Sequence, residues 1–580
     1  MWGLIFLSFV VAAVGKQNLA IQWSQRIYGP DGPWNAITVS VGGNESYYDI
    51  STAQTKVDLL PGGAWECLVL APDVCDSYSD SQCGRGGFWT PAEDEFSYQI
   101  AIEAGWGDGT PYESGDNDPY IIQAISVYAN NADGNFTTYN ASLATIKNAT
   151  IVNPDGSTRG PELGFFSLGN QQTHQTFTTA PNEPSVLTNI MIGGLYNNGD
   201  IPSYSFGLHS GSAALGYPGS LVLGGYDKSR MIGPITTFTH DAQYSLTLLD
   251  IGIGVETGAS PFSFTDKSGL LTLNNSKTGQ LNVGVDPQMP YFHLPDKTCQ
   301  ALAKVLPIEF DNTLKYYLWK TSDPSFQKII NSPAYLSLTF PPATGESDNV
   351  IIKVPFSLLN LTLDIGITDT PTPYFPCLDT STSSNPGDYR LGRAFLQAAF
   401  FGANLRLNSA WIAQAPGPGT TKNGLGNADY EDLDDSDQFP DPTAIVSDTG
   451  AFNRSWTGYW TPLPVDSNGS SSADHSSSTG GSSGLSTGAK AGIGVGVAVG
   501  GILLIAAAVG AFLLARRRRN QRDSKSELAD TGRHYDAKYA GAPVQPMQQS
   551  TPSELHAPEL LSGPNQVHEM PAQSHHPVYG

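Results

Sequence analysis

Gly219-Ser220-Leu221-Val222-Leu223-Gly224-Gly225 holds a three-residue apolar core with glycines on both sides, too short for a helix and bounded by turn formers. The same pattern recurs in Trp34-Asn35-Ala36-Ile37-Thr38-Val39-Ser40-Val41 and in Ile121-Ile122-Gln123-Ala124-Ile125-Ser126-Val127-Tyr128. From residue 18 to residue 416 the chain is rich in Gly, Thr and Tyr, and its apolar runs are broken at close spacing by Gly, Pro and Asn. This predicts an all-β body with few helices. About 400 residues exceed what one sheet core usually holds, so two lobes are expected, at about 18–235 and 236–416. One helix is predicted, over Asp296-Lys297-Thr298-Cys299-Gln300-Ala301-Leu302-Ala303-Lys304-Val305-Leu306, with Asp296 as its cap.

The flanks differ in kind from this body. Residues 1–15 form an apolar run that is too short to span a bilayer and ends in small residues, the pattern of a signal peptide. Residues 491–515 are apolar and uncharged and are followed by four arginines, 516–519. That run is long enough to cross the hydrocarbon core, and the arginines place residues 516–580 in the cytoplasm, as a tail expected to be disordered. The expectation is a single-pass type I protein of the plasma membrane with its ectodomain outside. Between the two, residues 417–490 hold an acidic run at 429–441 and a Ser/Gly/Thr-rich run, and are expected to form a disordered extracellular stalk.

The chain carries a net charge of −24. Residues 516–580 contain eight Lys/Arg and seven Asp/Glu, so the exported part carries the whole deficit. An acidic ectodomain argues against nucleic acid as a partner. Eight Asn-x-Ser/Thr sequons, at Asn44, Asn135, Asn140, Asn148, Asn274, Asn360, Asn453 and Asn468, fit a glycosylated secretory protein. The five cysteines permit two disulfides in an oxidising compartment. Sequence proximity favours Cys75 with Cys83, which leaves Cys299 with Cys377 and Cys67 unpaired. No His or Cys spacing marks a metal site, and no cofactor is expected.

Several segments together resemble the pepsin-like aspartic proteases, most closely their membrane-anchored fungal branch. Ile201-Pro202-Ser203-Tyr204-Ser205-Phe206-Gly207-Leu208-His209, followed by the 219–227 run, resembles the end of that family's N-terminal lobe. Pro290-Tyr291-Phe292-His293-Leu294-Pro295 and the helix after it are similar to the stretch that follows the second catalytic aspartate. Leu391-Gly392-Arg393-Ala394-Phe395-Leu396 resembles the late hydrophobic-hydrophobic-Gly element. The resemblance implies two β lobes with a substrate cleft between them.

In that family each lobe supplies one Asp in Asp-Thr/Ser-Gly, and the two carboxylates share a proton. Here Leu60, Pro61 and Gly62 stand where the first motif is implied, and Asp286, Pro287 and Gln288 stand at the second. Asp286 is the retained candidate acid, without a partner. Asp58 precedes Leu60 by two residues, which on a strand displaces it by about 6–7 Å, too far to share a proton. The nearest candidate for the family's flap is Ala104-Gly105-Trp106-Gly107-Asp108-Gly109. The leading expectation is therefore a catalytically degenerate homologue whose cleft binds an extended peptide or protein without cutting it. The alternatives are an active aspartic endopeptidase working at acid pH through Asp286, and a structural or signalling surface glycoprotein.

Overall fold

A computed structural model describes residues 16–465, apart from 44–53, 64, 79–81, 91–96, 99–111, 115–119, 178–184, 240–244, 275–278, 344–345, 380–387, 420–426 and 442–449. The predicted signal peptide at 1–15, the flap candidate at 104–109 and the apolar run at 491–515 lie outside the described residues. Among the described residues no helix is long and apolar enough to cross a membrane.

The protein is built mostly of β-sheet, as the short apolar runs predict. One strand pattern occurs twice. In the first half, β1 (Thr55–Pro61) pairs in parallel with β4 (Gly164–Phe166), β4 pairs antiparallel with β2 (Cys67–Leu70), and β2 pairs in parallel with β3 (Asn135–Ile146). In the second half, β5 (Leu281–Val285) pairs in parallel with β8 (Arg390–Leu391), β8 pairs antiparallel with β6 (Phe292–His293), and β6 pairs in parallel with β7 (Cys377–Leu378). Each time a strand leaves its parallel partner, turns through a short loop and returns on that partner's other side. Buried aliphatic and aromatic residues such as Leu59, Phe165, Val285 and Leu391 hold both frames, and strands buried on both faces need such near-continuous apolar runs.

The two halves also share one sheet. Its strand order runs Leu19–Ala20, Ser220–Leu223, Ser205–His209, Ala399–Asn404, Ser409–Gln414, Ile232–Thr239. The halves join where Gly207 faces Gly402. A Cβ on Gly402 would meet the Trp411 ring at 2.1 Å, so only glycine lets that indole lie across the join. The expected lobe boundary at 235/236 falls inside Ile232–Thr239, a strand that pairs with Ser409–Gln414 and is not divided there.

Both predicted disulfides are present, with Cα–Cα separations of 5.8 Å, and Cys67 is a free, buried thiol. Two expectations need correction. The predicted helix, α1 (Asp296–Ala303), takes Pro295 as its cap residue with no side-chain cap. Asp296 is its first helical residue, where its carboxylate accepts from Gln300 Nε2 at 2.6 Å and faces the helix's positive end. The helix also stops short of Leu306, with Lys304 as its C-cap.

The expected stalk is ordered in two places. Tyr430–Asp432 pairs with Gly225–Asp227, and Leu433 is buried beside it. The acids of this run meet donors on the body: Asp432 accepts from the Asn18 backbone and side chain at 2.9 and 2.7 Å, and Asp435 accepts from Tyr196 Oη and Arg406 Nε, both at 2.9 Å. Further on, α2 (Ala451–Ser455) buries Phe452, and Trp456 stacks on Trp460 at 5.3 Å. Thr461 N then donates to Asn331 O at 2.7 Å. Acidic composition misleads here because a few large anchors and matched donors fix a segment whose mean hydropathy is low.

Candidate functional site

The loops that follow β1 and β5 hold the degenerate and the retained motif, and they meet. In the first, Gly62 N donates to Phe166 O at 2.9 Å. In the second, Asp286 N donates to Leu391 O at 3.1 Å. A Cβ added to Gly62 would lie 2.6 Å from Gln288 Cγ, so the two loops approach as closely as a glycine allows. Leu60, Pro61 and Gly62 are thus brought to the same place as Asp286, Pro287 and Gln288.

Asp286 is buried. One carboxylate oxygen accepts from Gln288 N at 2.9 Å, and the other pairs with Arg390 NH1 at 3.2 Å. Burial raises its pKa above the ordinary carboxylate value, opposed by Arg390 and by the Gln288 N–H. Arg390 also holds Asp388, with NH2 at 2.6 Å. The partner of Asp286 is a cation; by strand register its counterpart in the first half is Gly62, two residues beyond the Leu60 that the resemblance implies, and the buried Leu60 belongs to β1.

Asp58 is fully committed elsewhere. It is buried and accepts from Ser24 Oγ, Tyr28 Oη and Thr38 Oγ1, each at 2.6 Å, and from Arg26 Nε at 3.0 Å. A carboxylate with these donors is a structural hub.

Three features of the site have no signature in the motifs. Arg393 is buried, donates through NH1 to Pro287 O at 3.1 Å and to Gln288 O at 2.7 Å, and lies 4.9 Å from the Trp34 ring centroid. A guanidinium from the second half thus fixes the second loop while stacking on an aromatic ring of the first. The segment 29–33 supplies Asp31, which accepts from Trp34 Nε1 at 2.8 Å and from Tyr291 Oη at 3.2 Å, with Arg159 NH2 at 3.7 Å. Tyr374 Oη donates to Asp31 O at 2.6 Å. Glu162, also buried, pairs with Arg85 NH1 at 2.6 Å and accepts from Gly29 N; burial pushes its pKa up against both. Of these, only the turn-rich Gly29-Pro30-Asp31-Gly32-Pro33 left a trace in the sequence, as a turn.

Two cavities border the junction, of about 10 and 30 Å³. The larger touches Leu60, Gln288, Asp31, Glu162 and Arg393, and holds no more than a water or two. Both acids there are already paired with arginines, so neither is set up to exchange a proton with Asp286. Cys67, beneath the first loop, accepts from Ser167 N at 3.4 Å, and burial pushes its thiol up to about 12, which leaves it no nucleophile. Trp34 is buried and Trp65 is 39% exposed, while Trp106 lies outside the described residues. Among the described residues no group of three or more His, Cys, Asp or Glu is arranged to hold a metal ion.

Of the sequons, Asn135, Asn140, Asn148 and Asn274 are exposed. Asn453 is half-buried, and so is Asn360, whose Oδ1 is enclosed. Asn44 and Asn468 lie outside the described residues. No family model matches the chain, and no curated protein matches it in sequence.

Proposed function

We propose that the body is a bilobal, pepsin-like domain that has lost its proteolytic dyad and binds an extended peptide or protein without cleaving it, displayed on the cell surface by a single membrane span at 491–515. The fold half of this reading is supported by the strand pattern that occurs twice, by the sheet the halves share, and by the meeting of the two motif loops. The loss of chemistry is supported by one observation above the others: Asp286 is paired with Arg390, and Gly62, which bonds to Phe166 O as Asp286 bonds to Leu391 O, has no side chain to offer. A shared-proton dyad needs a second carboxylate on the first loop, and Leu60, Pro61 and Gly62 supply none. Loss of one member of a catalytic unit costs on the order of 10⁴-fold or more in rate. Recognition of an extended ligand survives that loss, because it relies on strand edges and side-chain pockets rather than on the acids.

The test is peptide hydrolysis by the full-length protein in detergent micelles from about pH 3 to 6, the range in which a carboxylate dyad titrates. Wild type and Asp286→Ala are expected to be equally inactive. Hydrolysis by wild type that disappears in Asp286→Ala would overturn the reading.

A further inference from the structure

A cavity of about 460 Å³, far larger than either void at the loop junction, opens between α1 and the hairpin formed by Ile308–Phe310 and Tyr317–Trp319. Its size is that of pockets that hold small ligands. Phe310 and Tyr317 supply an aromatic wall, and among the described residues Phe310 is 39% exposed. The base is rigid: Cys299 of α1 is disulfide-bonded to Cys377, next to the lining residue Leu378.

The charges around this cavity are not balanced in their commitments. Asp296 is held by Gln300 Nε2 at 2.6 Å, with Lys297 Nζ at 3.8 Å. Lys304 and Lys315 also line the cavity, both exposed, and among the described residues neither has an ion-pair partner. Lys304 sits at the C-cap of α1, and Lys315 sits in the hairpin turn at φ 62°, a left-handed conformation unusual for lysine. That turn is set by Asp311, whose Oδ1 accepts from Thr313 N at 2.8 Å and from Leu314 N at 2.9 Å. Two lysines with no ion-pair partner among the described residues therefore line, from different elements, one cavity with an aromatic wall, in a chain of net charge −24.

We propose that this cavity binds the C-terminal end of a peptide, with the terminal carboxylate between Lys304 and Lys315 and the last side chain, aromatic or large aliphatic, against Phe310 and Tyr317. A chain end fits because one residue supplies both groups across a single Cα, whereas an internal acidic residue must borrow its apolar side chain from a neighbour. The two carboxylate oxygens accept from two donors, one per lysine. The Tyr317 hydroxyl, held protonated up to about 12 by burial and by Asp296 and Asp379, remains a donor to the ligand backbone. This assignment rests on the peptide-binding reading above and specifies its ligand.

The experiment uses the full-length protein in detergent micelles with two probes, an N-acetylated tripeptide ending in phenylalanine as the free acid and the same peptide as its C-terminal amide, titrated calorimetrically. The acid is expected to bind about tenfold more tightly than the amide, the effect of one lost charge-assisted interaction. Lys304→Gln and Lys315→Gln should each erase that preference, and the arginine variants should restore it. Equal binding of acid and amide, no binding of either, or a preference that survives both glutamine variants overturns the assignment. The two readings fail separately. An unbiased peptide library that binds while the chain-end probes do not leaves the peptide-binding reading standing. Hydrolysis dependent on Asp286, alongside a tenfold preference for the acid, leaves the cavity assignment standing.

Discussion

The loops after β1 and β5 are framed by the same sequence of parallel, antiparallel and parallel pairings, yet they carry opposite polar loads. The first passes from Leu60 and Pro61 into two glycines, and Asp58, two residues before Leu60, is spent on four donors. The second keeps a buried carboxylate and surrounds it with two arginines, Arg390 on Asp286 and Arg393 on the loop carbonyls. The frame is therefore separable from the chemistry. Backbone pairing and flanking apolar residues hold the loops in place, while the residues at their tips differ in charge and polarity.

If this contrast is right, the second loop depends on its cation and the first has no counterpart. Arg390→Leu leaves Asp286 buried and unpaired, and should destabilise the protein by about 3–5 kcal/mol in chemical denaturation. Asp286→Leu should cost less, about 1–2 kcal/mol, because Arg390 keeps Asp388 at 2.6 Å. Should Asp286→Leu prove the more damaging of the two, the carboxylate and not the arginine would be the organising group.

The halves also differ in how they hold a buried histidine. His209, in the shared sheet, has a defined neutral form: Nδ1 accepts from Arg230 at 3.2 Å and Nε2–H donates to Gln397 O at 3.0 Å. Burial and then Arg230 lower its pKa to about 3. His293, after the second loop, is lowered to about 4 by burial and then by Arg390. For a histidine whose folded pKa is depressed, the unfolded chain binds the proton first, so stability is fully present above pH 6.5 and is lost as pH falls toward the folded pKa. The expected loss is about 1.4 kcal/mol per pH unit per histidine over that window. Buried Asp286 and Glu162, with raised pKa values, act in the opposite sense: their protonated forms suit the fold, so their contribution is present at acid pH and declines as pH rises through their folded values. Thermal unfolding of wild type from pH 7 to 4, compared with His209→Gln, separates the two, and the variant should show the shallower decline. A slope unchanged by His209→Gln would mean that the imidazole charges without opening the sheet. An acid-working protease would carry these histidines as a liability.

The β character of the body, the one helix after the second loop and both disulfides were legible because each depends on local pattern or on arithmetic over five cysteines. The partner of Asp286 was not, since Arg390 lies 104 residues away and only the parallel pairing of β5 with β8 brings it near. Asp31 and Glu162 escaped for the same reason, being paired with Arg159 and Arg85 across long stretches of chain. The acidic segment at 429–441 was misread because composition averages over residues, whereas Leu433 and the donors on Asn18, Tyr196 and Arg406 act one at a time.

The smallest expected effect bears most directly on whether the two loops are counterparts. Their closest approach is the space where a Gly62 Cβ would lie, 2.6 Å from Gln288 Cγ and 3.2 Å from Gln288 N. The first of these is a side-chain atom that can move, and the second is backbone that moves only with the loop. Gly62→Ala should therefore cost about 1–2 kcal/mol, shared between overpacking a tight contact and the strain of an L side chain at the φ of 157° that Gly62 adopts. Gln288→Gly removes the side-chain part of that clash but neither the backbone contact nor the strain of an L side chain at φ 157°, so combined with Gly62→Ala it should recover only part of the loss, a coupling energy of about 1 kcal/mol in a double-mutant cycle. Strictly additive effects would separate the loops in solution, and with them the argument that Gly62 and Asp286 are counterparts.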